Sequence, residues 1–177
     1  MSTTATGCLR PRPGEYDPYY DRYIGLVPDN DIVHTLDEQR RQTVLLLSGR
    51  TEPDGDLRYA PGKWGLKEVL GHLNDTERIM SYRALRIARK DATPIEGFEQ
   101  DDYVRNGPFA GLLLADLIED YIAVRRATLS LFRNLDEAAW NRRGVANKKE
   151  VTVRALAYII AGHELHHRRI LGEKYLK

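Results

Sequence analysis

The sequence predicts an all-α protein, a four-helix bundle with an N-terminal arm and long loops between helices. Three observations lead there. Four long segments carry apolar residues at helical spacing, no convincing run alternates as a strand does, and no repeat period runs through the chain. At 177 residues the chain is one domain's worth, enough to bury a core without a disulfide or a metal staple. The expected division is an arm over 1–27 and a bundle domain over 28–177.

The arm is rich in Pro, Gly, Tyr and small residues and reads as extended, with a short helical turn around Tyr20–Ile24. Asp29 or Asn30 is expected to cap the first helix, which carries Ile32, Val33, Leu36, Val44 and Leu47 and runs to about Ser48. Residues 49–64, with three Gly and two Pro, read as a surface loop. The second helix is expected from Gly65 to Lys90, with Leu66, Val69, Leu70, Leu73, Met80, Ala84 and Ile87 on its apolar face. Residues 91–108 read as loop, and a third helix follows from Phe109 to Asn134. Its stripe is Leu113, Leu117, Tyr121, Val124, Thr128 and Leu131. A short turn at Asp136–Trp140 and a polar connection lead to the fourth helix, which Thr152 is placed to cap. The two middle connections are long, so loop length does not fix the order of helices around the bundle.

Twenty-seven Lys and Arg against 26 Asp and Glu leave a formal net charge of +1, which gives no global electrostatic case for nucleic acid or an anionic membrane. Charged residues at 30% and hydrophobic ones at 42% make an ordinary globular mixture and exclude disorder throughout. The single cysteine, Cys8, cannot form an intramolecular disulfide or half of a CxxC site. The N-terminus has no apolar signal-peptide core and no apolar run reaches membrane length, so the expected compartment is the cytoplasm.

The chemistry is concentrated in the histidines: His34, His72, His163, His166 and His167. Each helical residue turns about 100°, so with Leu156 at zero His163 falls at about −20° and His167 at about +20°, on the core stripe. His166 lies at the edge, at about −80°, and Glu164 at the opposite edge, at about +80°. Two imidazoles at i and i+4 on a buried face present neighbouring, desolvated nitrogens, as a divalent metal requires. His72 is the natural third ligand, on a helix face that turns polar through Asp75 and Thr76. Three neutral His with water in a fourth position is a catalytic arrangement for zinc, and nickel or iron also accepts it. Asp75 is the expected group for orienting or deprotonating the metal-bound ligand, with Glu164 and Glu77 behind it. A hydrogen bond that holds a metal ligand in place, or one between helices, is an equal alternative for Asp75. His34, among polar neighbours, reads as a surface or boundary residue.

Two motif matches mislead. His163-Glu164-x-x-His167 formally fits the metalloprotease HExxH, yet only ten residues follow His167, where such proteases need a downstream third ligand. Glu164-x-x-His167 also fits half of a di-iron carboxylate pattern, but the chain has no second Glu-x-x-His. Of the basic residues, Arg125/Arg126, Arg142/Arg143 and Arg168/Arg169 read as mostly solvated pairs. Arg83, three turns along the face from His72, is expected to hold an anionic substrate or cofactor group, or to pair with Glu77 or Asp101.

Gly71-His72-Leu73-Asn74-Asp75-Thr76-Glu77-Arg78-Ile79 followed by Tyr82-Arg83-Ala84-Leu85-Arg86 resembles the second helix of the DinB-like (YfiT-like) four-helix-bundle superfamily. The stretch Thr93–Val104 resembles the loop after it, and Ala161-Gly162-His163-Glu164-Leu165-His166-His167 resembles its last-helix metal motif. The resemblance covers roughly residues 18–175. It implies a bundle holding a divalent metal, zinc or nickel, on His72, His163 and His167. It also implies a small-molecule substrate and a homodimer. Members include bacillithiol S-transferases and mycothiol-dependent maleylpyruvate isomerase, in which the metal activates a low-molecular-weight thiol; others are described as metal-dependent hydrolases. Glu164 departs from the small or apolar residue familiar at its position. The expected activity is therefore transfer of a thiol, or of water, to a small electrophile. The alternative is a non-catalytic ligand-binding bundle of a stress response, its metal structural or missing. A structural site would be closed by a fourth protein ligand from Asp75, His166 or Glu164.

Overall fold

The computed structural model describes residues 9–176, so Cys8 lies outside the described residues. The chain is an all-α four-helix bundle, built from α2 (Ile32–Leu47), α3 (Leu66–Ala88), α5 (Leu114–Arg133) and α7 (Val153–Ile170). Three shorter helices, α1 (Asp21–Ile24), α4 (Gln100–Asn106) and α6 (Glu137–Trp140), sit in the connections.

The caps explain where the long helices begin. Asp31, rather than Asp29 or Asn30, accepts the backbone N–H of His34 at 2.8 Å and starts α2. The Glu68 carboxylate reaches back to the Gly65 N–H at 2.6 Å and starts α3. Thr152 takes the Ala155 N–H at 3.1 Å and starts α7, as expected from the sequence. The third long helix starts later than its pattern suggests, because Phe109–Gly111 forms a separate 3₁₀ turn. Its inner face is Leu114, Leu117, Tyr121, Val124, Arg125, Thr128, Leu129 and Phe132, while Leu113 stands exposed.

α2 packs against α5 and α7, and α3 packs against the same two, so α2 and α3 are diagonal partners. Hydrogen bonds fix the directions. Gln39 bonds to Ala161 and Thr43 to Glu164, so α2 and α7 run parallel. Asn74 bonds to Leu117 and Glu77, further along α3, bonds to Arg125, so α3 and α5 also run parallel. Arg142, whose carbonyl accepts the Val153 N–H at the start of α7, bonds to Ala88 at the end of α3. His72 in the first half of α3 meets His163 in the second half of α7, so α3 and α7 run antiparallel. Consecutive helices are thus diagonal or parallel, and both arrangements need long crossings. That is the physical reason for the long second and third connections.

The polar stretch after α6, read from sequence as an irregular connection, is a β-hairpin of β1 (Arg143–Ala146) and β2 (Lys149–Thr152). Its two-residue turn, Asn147-Lys148, has φ of 50° and 62°, the left-handed pair that a tight hairpin turn requires. The arm is folded onto the bundle. Ile24 and Val27 are core residues, and Arg10 donates to the carbonyls of Ile24 and Val27. Glu15 accepts from Thr152 at 3.0 Å and from Arg154 at 2.5 Å, clamping the arm to the start of α7.

The core is in two apolar parts. One gathers Leu36, Met80, Ile87, Phe132, Leu156 and Ile160. The other gathers Leu47, Leu70, Phe109, Leu117, Tyr121 and Leu171. Between them lies a buried polar layer that includes Thr43, His72, Thr76, Glu77, Arg125, His163 and Glu164. No helix among the described residues is long and apolar enough to cross a membrane.

Candidate metal centre

Within the polar layer, α3 contributes His72 and α7 contributes His163 and His167. One ring nitrogen from each lies within 4.8 Å of the others. His72 Nε2 and His163 Nε2 are 3.0 Å apart, and the three ring centroids are 4.6–5.0 Å apart. Two nitrogens bound to one tetrahedral zinc at about 2.0–2.1 Å stand about 3.3 Å apart, so the trio is close to a ligand arrangement without large movement.

Burial settles the charge of these rings. It pushes the His72 pKa down to about 4. Burial, with His72 and His166 as neighbours, pushes His167 down to about 3. Burial, reinforced by His167, His72 and His166, holds His163 well below its ordinary value. Neutral imidazole is the form that binds a metal. The Thr76 hydroxyl lies 3.4 Å from His72 Nδ1 on the side away from His163, where it helps to fix the ring. Trp64 packs on His72 at 4.8 Å, and Tyr23 of α1 covers His163 and His166 at 5.4 and 5.5 Å. Burial, then its neighbour Tyr19, pushes the Tyr23 phenol up to about 12, so it stays protonated.

The acids expected at the site are not part of the trio. Among the described residues, none of Asp75, His166 and Glu164 brings a ligand atom into the group of three. Asp75 lies 3.5 Å from Arg78, with Asp120 of α5 beside it. Burial pushes its carboxyl up. Glu164 turns away from the histidines. One oxygen accepts from Thr43 at 2.5 Å and Tyr121 at 2.6 Å, and the other from Arg125 at 2.5 Å. With both oxygens engaged and 2% exposure, Glu164 is placed as a structural acceptor rather than a base. His34 is exposed on α2, as its polar neighbours suggest.

Arg125 corrects the sequence reading of a solvated pair. It is wholly buried, with a two-pronged contact to Glu77 at 2.8 and 2.7 Å and further bonds to Glu164 and the Leu36 carbonyl. Burial alone would favour losing its proton, and Glu164 and Glu77 outweigh that and hold it charged. Its position offered a signal: it follows Tyr121 by four residues and precedes Leu129 by four, on the buried face. Arg83 pairs with neither Glu77, which Arg125 has taken, nor Asp101.

Beside His163 lies a cleft of about 400 Å³. Its walls come from Tyr20 and Tyr23 of the arm region, Thr76 and Arg83 of α3, Phe98 of the following loop, and Lys149 of β2. A far smaller void of about 10 Å³ lies deeper, between His163 and the Glu77–Arg125–Glu164 group. The cleft is large enough to admit a small molecule beside His163, and the void is not.

The DinB superfamily model matches residues 35–171. No curated protein matches the chain. Among solved structures, YfiT from Bacillus subtilis, described as "a probable metal-dependent hydrolase with an unusual four-helix bundle topology", superposes with a TM-score of 0.73. The alignment covers 92% of this chain and 89% of YfiT at 16% sequence identity, a likeness of fold.

Proposed function

The chain belongs to the DinB superfamily, and from that premise we propose that it is an enzyme dependent on one divalent cation, zinc or nickel, with His72, His163 and His167 as the protein ligands. The observation that carries this reading is the trio itself: three uncharged imidazoles gathered from two helices, with no acid among them. A divalent ion held there supplies Lewis acidity, lowering the pKa of a bound water or thiol and polarising a carbonyl. The reaction assigned is transfer of a low-molecular-weight thiol to a small electrophile, with hydrolysis as its close relative. The description of YfiT as "a probable metal-dependent hydrolase" supports the second form.

The chain's own residues do the positioning. Thr76 orients His72, while Tyr23 and Trp64 cover the rings and exclude bulk water. The Glu77–Arg125–Glu164 group ties α3, α5 and α7 together beside the histidines, so the helices that carry the ligands are held in register. The cleft delivers the substrate to His163. A structural metal site would want a fourth protein ligand, and the three-residue donor set supports an open position instead.

Metal per chain, measured by elemental analysis on untagged protein purified without chelator, tests the reading against His163→Ala. About one equivalent of zinc or nickel, lost in the variant, is the expected result. Wild-type protein that takes up neither metal after incubation with both would overturn it. Product analysis with activated esters and haloalkyl electrophiles, with and without added thiol, then separates transfer from hydrolysis. Asp75→Asn with metal retained shows whether that carboxyl does proton work.

A further inference from the structure

The cleft beside His163 contains a cation with no counter-charge. Arg83 is 3% exposed. One terminal nitrogen donates to the Glu96 carbonyl at 2.8 Å, and the other lies 3.7 Å from Met80 Sδ. The Tyr20 hydroxyl is a further neighbour, and Cζ stands 5.8 Å from the Phe98 ring centroid. Nε is buried with no hydrogen-bond partner. Among the described residues no carboxylate pairs with this guanidinium. The contrast with Arg125, equally buried and met by two carboxylates, is direct. A buried, uncompensated cation is destabilising, and one that lines a cleft is placed to receive its counter-ion from outside.

We propose that Arg83 anchors a carboxylate on the substrate, and that the substrate is an elongated monoanionic acid with an apolar or aromatic body. The proposal deepens the metal-dependent reading and rests on it for the position of the reacting end. One unpaired positive charge and one open N–H match a single negative charge. A dianion would also meet Asp17 and Glu99, which line the same cleft, Asp17 already paired with Lys149 at 3.4 Å. The body follows from the other walls, where Tyr19, Tyr20, Tyr23, Phe98, Met80 and Ile159 offer ring faces and apolar surface. Length follows from α3. His72 and Arg83 are separated by roughly 16 Å of helix rise; both side chains lean toward the helix N-terminus and the longer arginine leans further, so the reacting end and the anchor stand on the order of 10 Å apart. Short acids such as acetate cannot span that distance.

The test is calorimetric titration of 4-phenylbutyrate and its neutral analogue 4-phenylbutan-1-ol into wild type and Arg83→Met. Each protein is used zinc-loaded and chelator-treated, with metal per chain recorded. The expected result is an acid preference of about tenfold or more in wild type, present with and without zinc and reduced below about twofold in Arg83→Met. Equal binding of acid and alcohol by wild type, or no binding of either, overturns the proposal. So does a preference that survives Arg83→Met but vanishes with chelator, which would put the carboxylate on the metal. Should Arg83→Met fail to fold, Arg83→Gln serves: it keeps a polar side chain of similar reach but loses the charge, and an undiminished preference there overturns the proposal. An acid preference in protein that takes up no metal leaves the anchor standing and removes the metal reading.

Discussion

Gly162 of α7 lies directly against the backbone of Tyr23: a Cβ on Gly162 would stand 2.1 Å from the Tyr23 carbonyl oxygen. Backbone, unlike a flexible side chain, cannot swing away. The missing side chain lets α1 settle onto α7 one residue before His163, which is what brings the Tyr23 ring over that histidine. Gly162→Ala is therefore expected to lift the arm and to destabilise the protein by about 1–3 kcal/mol. Chemical denaturation reads the stability, and limited proteolysis reads whether the segment around Tyr23 becomes cleavable.

The histidines make a sharper prediction because His166 and His167 are adjacent and only one belongs to the trio. His166→Ala is expected to keep its equivalent of metal, while His72→Ala and His167→Ala lose theirs. In wild type, metal at a hundredfold excess over its Kd is expected to add about 2.7 kcal/mol of stability, abolished by chelator. Thermal melts with and without chelator check both statements. A variant set in which His166→Ala loses metal and His167→Ala retains it would sink the assignment.

Arg125→Met leaves two buried carboxylates facing one another without their guanidinium. The expected loss is about 3–5 kcal/mol. Removing an exposed partner such as Arg105, paired with Asp102 on the surface, is expected to cost under about 1 kcal/mol. Urea denaturation of the two variants side by side measures the contrast.

Glu15 supplies the pH dependence. Burial pushes its carboxyl up, but hydrogen bonds from Arg154, the Arg12 backbone and Thr152 outweigh that and set it below the ordinary value. The folded arm thus binds fewer protons than the unfolded chain. Its contribution is complete above the ordinary glutamate range and fades as pH falls through the depressed folded value. Wild type is expected to melt above Glu15→Gln at pH 7, with the gap narrowing in acid. A gap that widened in acid would reverse the sign and refute the clamp.

The long helices were legible because burial imposes a 3.6-residue period, and His163 and His167 fall on that stripe with Leu156 and Ile160. The topology was not, since apolar stripes show which face is buried without naming the partner. The hairpin escaped for a different reason. Its strands are four residues each, and its turn is Asn147-Lys148, without the glycine that usually marks two consecutive left-handed residues. Arg125 escaped because a charge on an apolar stripe is read as solvated until its partners on other helices are known. Glu77, expected beside the metal-bound ligand or Arg83, is one of those partners, and Glu164 is the other.

The parallel pairing of α2 with α7 has a consequence for synthesis on the ribosome. Thr43 and Gln39 find their partners 121 and 122 residues later. Until α7 has emerged, Arg125 can meet Glu77, but Glu164 is missing, and the apolar faces of α2 and α3 have only α5 of the two helices that cover them both. The nascent chain therefore waits, with sticky surfaces uncovered, for α7 to emerge, and a product stalled before that point keeps those surfaces open to other chains.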